Sequence, residues 1–157
     1  MIRMLYQELL NQARHLAAKE PRKPKDASLR RAVSTAYYGL FHLLIHDACE
    51  MLVPKRRSDL RHRLARGFEH KRMKEAAQAA GKNPQANAEL GNVAKTFVLL
   101  QEERHEADYS LAKRFRRSEV EALLIQTERA FADWKAARRK SQAKTEDFLL
   151  SLLVKAR

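Results

Sequence analysis

The stretch Ser28–Leu52, "SLRRAVSTAYYGLFHLLIHDACEML", decides the fold. Val33, Ala36, Tyr37, Leu40, Phe41, Leu44, Ala48 and Leu52 recur every three or four residues, the spacing that puts them on one broad helical face. A helix over about 28–53 with so wide an apolar face needs neighbours on most sides, so it is read as the central element. Asp26 or Ser28 is its expected N-cap, and Pro54 ends it. Its polar residues Arg31, Thr35, His42, His46 and Glu50 form a second stripe, which faces water, a partner subunit or a cleft.

Outward from this segment the chain reads as further helices. Residues 2–19 place Leu5, Leu9, Ala13 and Leu16 on one side of a first amphipathic helix, and "EPRKPKDAS" breaks it. Ser58 is expected to cap a helix running to about Ala80, bent near Gly67, before a second break at "GKNPQAN". From about 87 to 111, Leu90, Val93, Phe97, Leu100, Arg104, Ala107 and Leu111 share one stripe, which Arg104 interrupts. "SEVE" at 118–121 reads as a capping box, with Ser118 the N-cap of a helix to about 139 that turns Val120, Leu124, Thr127, Phe131 and Trp134 inward. A last helix from Thr145 carries Phe148, Leu149, Leu152 and Leu153 and folds back on the bundle or packs on another chain.

The composition agrees with this pattern. With only four Gly and four Pro in 157 residues, tight turns are scarce, and the expected class is all-α, an antiparallel bundle of four to five main helices plus a C-terminal helix. The bundle is assigned to residues 1–140 and the C-terminal amphipathic helix to 141–157. The single Cys49 permits no intrachain disulfide and is expected as a buried thiol in a reducing compartment. No apolar run approaches the roughly 20 residues of a spanning helix, so a cytoplasmic protein without membrane contact is expected.

The net charge of +13 biases the chain toward RNA or another polyanion. Basic clusters occur at 21–25, 54–57, 70–74, 113–117 and 135–140, mostly near helix ends. No Gly-rich phosphate loop, nucleophile elbow or paired-His zinc protease motif is present, which excludes the enzyme classes built on them. His42, His46 and Glu50 have the spacing by which one helix face supplies metal ligands, but a polar face is the better reading and neither metal nor cofactor is expected.

The densest cluster of chemical side chains is "ERHEADY", 103–109. On a helix, Arg104 neighbours Asp108 and His105 neighbours Tyr109. Arg104 then serves either as a phosphate clamp, with His105 as acid or base, or as a cation neutralised by Asp108 within an apolar stripe. In "TAYYGLFH", 35–42, spacing places Tyr37 on the buried face and Tyr38 nearer the polar stripe, where it has the better claim to ligand contact.

Taken together, "SLRRAVSTAYYGLFHLL" (28–44), "GFEHKRMKEAA" (67–77), "RHEADY" (104–109) and a capped helix ending "AFADW" (130–134) resemble the prokaryotic HEPN family, in a branch marked by Ala-Tyr-Tyr and Arg-x-x-Ala-Asp-Tyr. The resemblance spans about residues 5–135. It implies a helical bundle, commonly a homodimer with a basic cleft, in toxin–antitoxin, antivirus defence or stress systems. It also implies metal-independent endoribonuclease activity, and for some members a nucleotidyltransferase-type antitoxin as partner. The family's catalytic signature is an arginine followed, after four to six residues, by a histidine. After Arg104 those positions hold Tyr109, Ser110 and Leu111, so the signature is absent there. The pairs Arg57–His62, Arg56–His62 and Arg63–His70 satisfy the spacing, no more than chance provides in a chain with 19 Arg and 6 His. The expected catalytic set is therefore Arg104, His105 and His42, supported by Arg31, Tyr38, His46, Asp108 and Tyr109. The competing reading is a non-catalytic module that binds RNA, a nucleotide or a partner protein.

Overall fold

A computed structural model of the chain describes residues 4–83 and 87–155. Pro84, inside the expected break at "GKNPQAN", and the ends of the first and last expected helices, residues 2–3 and 156–157, lie outside them. The described residues form seven helices: α1 (Leu5–Ala17), α2 (Asp26–Leu52), α3 (Ser58–Arg66), α4 (His70–Gly81), α5 (Ala88–Tyr109), α6 (Arg117–Lys140) and α7 (Gln142–Ser151). There is no strand among them, and no helix is long and apolar enough to cross a membrane.

The central position expected of α2 follows from its burial. Fifteen of its residues are buried, and it packs against α1, α3, α5, α6 and α7. Tyr37, Leu40 and Leu44 meet Phe97 and Leu100 of α5 and Trp134 of α6 in one core, every one of them fully enclosed. Complete burial of a side chain of this size contributes about 1.5–3 kcal/mol. The C-terminal helix joins the same core: α7 packs on α2, α4 and α6, and Phe148, Leu149 and Leu152 are buried.

Several boundaries and faces differ from the sequence reading, each for a local reason. In α1 the buried residues are Leu10, Ala13 and Ala17, while Leu5 stays half exposed, because α1 lies close along α2 on its small side chains. The expected helix over 58–80 is two, α3 and α4, parted where Gly67 N–H bonds back to the Leu64 carbonyl at 2.9 Å and Phe68 turns into the core. Ser58 and Ser118 are first-turn residues rather than caps; the N-cap positions are Arg57 and Arg116, neither with a capping side chain. What sets the start of α6 is a hydrophobic staple, with Phe115 one residue before the cap and Val120 at the fourth helical position, both buried. α7 starts earlier than expected because Ser141 Oγ accepts the Lys144 amide at 3.2 Å. Leu111 is 98% exposed, since α5 has already ended at Tyr109. Cys49 is part-buried, its Sγ directed at the Arg61 carbonyl at 3.5 Å, and burial pushes its pKa up.

Part of the basic excess closes helix ends. The last carbonyls of a helix lack intrahelical donors and carry partial negative charge. Arg30 donates to the carbonyls of Glu106, Ala107 and Lys113 at the end of α5 and pairs with Asp26. Arg61 donates twice to the Val53 carbonyl after α2, at 3.1 and 2.8 Å, and once to Glu50. Arg117 donates to the carbonyls of Ala17, Glu20 and Pro21 after α1.

Among the described residues the one buried carboxylate, Asp47, ties α2 to α6. Its Oδ2 accepts Trp134 Nε1–H at 2.7 Å and Arg138 Nη1–H at 2.8 Å, and His46 Nδ1 lies 3.0 Å from Oδ1. Asp47→Ala leaves the buried indole N–H without an acceptor, a loss of about 2–3 kcal/mol. For a chain of this length that lowers Tm by roughly 5–10 °C. Urea unfolding followed by the fluorescence of Trp134, the chain's single tryptophan, is the measurement, and Asp47→Asn, which keeps an acceptor, should lose less.

Candidate functional site

Three helices bring polar side chains together beside Tyr37. α2 supplies Tyr37, Tyr38, Phe41 and His42, the first residue of α4 is His70, and α5 supplies Gln101, Arg104 and Asp108. Residues 37, 38, 41 and 42 fall at helical steps of one, three and four, so they span adjoining parts of the α2 surface. Gln101, Arg104 and Asp108 lie in line along α5 at steps of three and four.

The guanidinium of Arg104 lies over both tyrosine rings, with Cζ 5.0 Å from the centre of Tyr37 and 5.7 Å from that of Tyr38. Its Nη1 is 3.5 Å from Tyr38 Oη and 3.4 Å from Asp108 Oδ2, both long for such contacts. The side chain is only 13% exposed, and its buried Nε has no hydrogen-bond partner. Arg104 is thus held by ring faces and one distant carboxylate, with donor capacity to spare.

His70 is fixed from three directions. Tyr37 Oη lies 2.6 Å from its Nδ1, Phe41 stacks on its ring at 4.6 Å with a 25° interplanar angle, and Gln101 Nε2 donates to its carbonyl at 3.1 Å. Burial pushes the Tyr37 hydroxyl far above the ordinary phenol range, so it keeps its proton. That hydroxyl has no second partner among the described residues, which assigns it as donor to Nδ1 and leaves the His70 proton on Nε2. Burial lowers the His70 pKa, and the charges of Arg104 and His42 lower it further. His42, its ring 5.3 Å from Phe41, is lowered by burial alone. Both imidazoles are consequently neutral at pH 7, and His70 is so beside a cation that is not fully paired.

Of the residues singled out from sequence, Arg104, His42, Tyr38 and Asp108 belong to this cluster. His105 does not: its ring pairs with exposed Tyr109 at 5.0 Å, on another side of α5. His46 turns toward Tyr6, at 5.2 Å, and Asp47. Arg31 is exposed on α2, and Arg63, which has the family spacing to His70, is exposed on α3. Among the described residues no group of three His, Cys, Asp or Glu side chains could hold a metal ion. His70, Tyr37 and Gln101 are the members that sequence spacing did not assign to a site. His70 stood inside "GFEHKRMKEAA", a segment carrying the family resemblance, and in the Arg63–His70 pair, whose spacing was no more than chance provides.

Comparison with known proteins returns no match to any family model, curated protein or solved structure.

The arrangement supplies two donors suited to a phosphate oxygen, on Arg104 and His70, and a neutral imidazole, His42, able to accept a proton. Because both imidazole pKa values are depressed in the folded chain, the unfolded chain binds more protons as pH falls through the ordinary histidine range. Their contribution to stability is therefore full above that range and is lost as pH falls through and below it. Urea midpoints should drop between pH 7.5 and 5.5, and the drop should be smaller in His70→Gln. A midpoint independent of pH in the wild-type chain contradicts the assigned neutral state.

Proposed function

We propose that this chain is a HEPN-like protein acting on RNA as a metal-independent endoribonuclease in a toxin, defence or stress system. The observation that carries the reading is Arg104: a nearly buried guanidinium with an unpartnered Nε and one long ion pair, its charge felt by neutral His70, with neutral His42 joined to the same cluster through Tyr38 and Phe41. A phosphodiester supplies the anionic oxygens that this guanidinium lacks.

In this reading Arg104 binds the scissile phosphate and His70 Nε2–H donates to a second oxygen. His42 takes the ribose 2′-hydroxyl proton as O2′ attacks phosphorus, and its imidazolium returns that proton to the departing 5′-oxygen. Tyr38, part-buried at the edge of the cluster, offers a ring face to the adjoining base. Exposed Lys71, next to His70, and Arg31 are placed to follow the backbone by charge. A second copy of the chain and a nucleotidyltransferase-type antitoxin are the protein partners proposed.

The absence of a histidine at positions 109–111, after four to six residues intervening from Arg104, favours a second reading, in which the same cluster binds RNA without cutting it. Incubation of the purified chain with mixed RNAs in EDTA separates the two. Arg104→Ala should lower cleavage by about 10²–10³-fold, the usual loss on removing a donor to transition-state charge. His42→Ala should lower it by about 10²-fold or more. Salt-dependent binding without turnover leaves the binding module standing, and RNA neither bound nor cut at low salt sinks both readings.

A further inference from the structure

A recess of about 810 Å³ lies between α4 and α7 and shares no lining residue with the Arg104 cluster. Its α4 wall is made of small side chains, Ala76, Ala79 and Ala80. Its α7 wall carries Asp147 and Leu150, three residues apart and so on one helical face, and Val154 lines the recess just past the end of α7. Leu150 and Val154 are 49% and 59% exposed, an apolar ridge left in water beside an apolar hollow. Arg72 adds a second observation. Its Nη2 makes a long bond to the Ser151 carbonyl at 3.4 Å, while its buried Nε has no partner. One groove therefore holds a ridge, a hollow of matching character, a guanidinium short of an acceptor and a carboxylate in line with the ridge.

We propose that this groove pairs two copies of the chain about a two-fold axis. The α7 of each copy lies between α4 and α7 of the other, giving the layer order α4, partner α7, α7, partner α4. Leu150 and Val154 then fill the alanine-lined hollow of the second copy, and Asp147 meets the second copy's Arg72. A two-fold axis makes every such contact twice, which is what a surface carrying both halves of a complementary pair requires. Charge selects this occupant over a polyanion. The groove sets Arg72, Lys144 and Lys155 against Glu75 and Asp147, close to balance, whereas the whole chain has 32 basic and 19 acidic residues. Two strongly positive copies repel least where their charges are mixed, and RNA gains least there.

This inference rests on the pairing of two copies proposed above, and it does not depend on what Arg104 binds. Sedimentation equilibrium of the full chain across the micromolar range, without RNA, tests it. The wild type should sediment as a dimer, and Leu150→Glu should weaken association at least about tenfold, or 1.4 kcal/mol, with unchanged circular dichroism. Arg72→Glu and Asp147→Lys should each weaken association, and the two together should restore it. A wild type that is monomeric throughout overturns both the pairing and the groove. A dimer indifferent to Leu150→Glu and to both charge reversals overturns the groove alone, and a double variant that stays monomeric overturns the Arg72–Asp147 register. RNA cleavage measured on the same variants bears only on the Arg104 site.

Discussion

The hydrogen bond between Tyr37 and His70 is the contact on which both fold and site depend. Tyr37 is fully buried at the middle of α2, and its ring touches Tyr38, Phe41, His70 and Phe97. Its hydroxyl needs a partner in that setting, because an unpaired hydroxyl inside the core costs several times what a satisfied one gains. His70 answers that need from the first turn of α4. The bond therefore fixes where α4 begins, orients the imidazole and decides which ring nitrogen keeps its proton. The same ring offers a face to Arg104 of α5 at 5.0 Å, so three helices are registered on one side chain. A polar requirement of the core thus sets the geometry of the polar cluster outside it.

The positive charge of the chain divides into two populations. Arg30, Arg61 and Arg117 sit where three helices end, bonding carbonyls that the helices cannot satisfy themselves. The donors of these inward-turned cations are already used, so they have few N–H groups left to offer a phosphate. Residues such as Arg31, Lys71, Arg114 and Arg116 are exposed and keep that capacity. Net charge alone therefore overstates the surface available to RNA.

What could be read from sequence was whatever repeated at helical spacing. The apolar face of α2, the inward set of α6 and the Arg104–Asp108 and His105–Tyr109 pairs are local periodicities, and the structure has them in place. Features fixed by distant segments were not legible. Arg30 and Arg117 bond carbonyls 76 to 100 residues away in the chain, which no spacing rule reaches. The start of α6 was misread because "SEVE" satisfies a local motif while Phe115 and Val120, by burying themselves, set the boundary two residues earlier. For the site, sequence brought Arg104, His42 and Tyr38 forward but not His70, whose place depends on a tyrosine 33 residues before it. His105 stood beside Arg104 in sequence, yet adjacent residues on a helix point about 100° apart, and only one of the two faces Tyr37.

Arg104 is best judged against the other arginines of the same chain. An arginine retained for structure alone should have its donors used, as Arg30, Arg61 and Arg117 do, each with three or more bonds to carbonyl or carboxylate oxygens. Arg104 is about as enclosed as Arg30, with side chains 13% and 17% exposed, yet it reaches only a hydroxyl at 3.5 Å and a carboxylate at 3.4 Å. Burying a cation carries a desolvation cost that a pair at that distance offsets poorly. The tyrosine faces recover part of it through the ring quadrupole and leave the in-plane N–H groups free. Under-use of donors at a buried guanidinium, which Arg104 shares with Arg72 but not with Arg30, Arg61 or Arg117, is what favours the proposed anion-binding role of Arg104 over that of a helix lock.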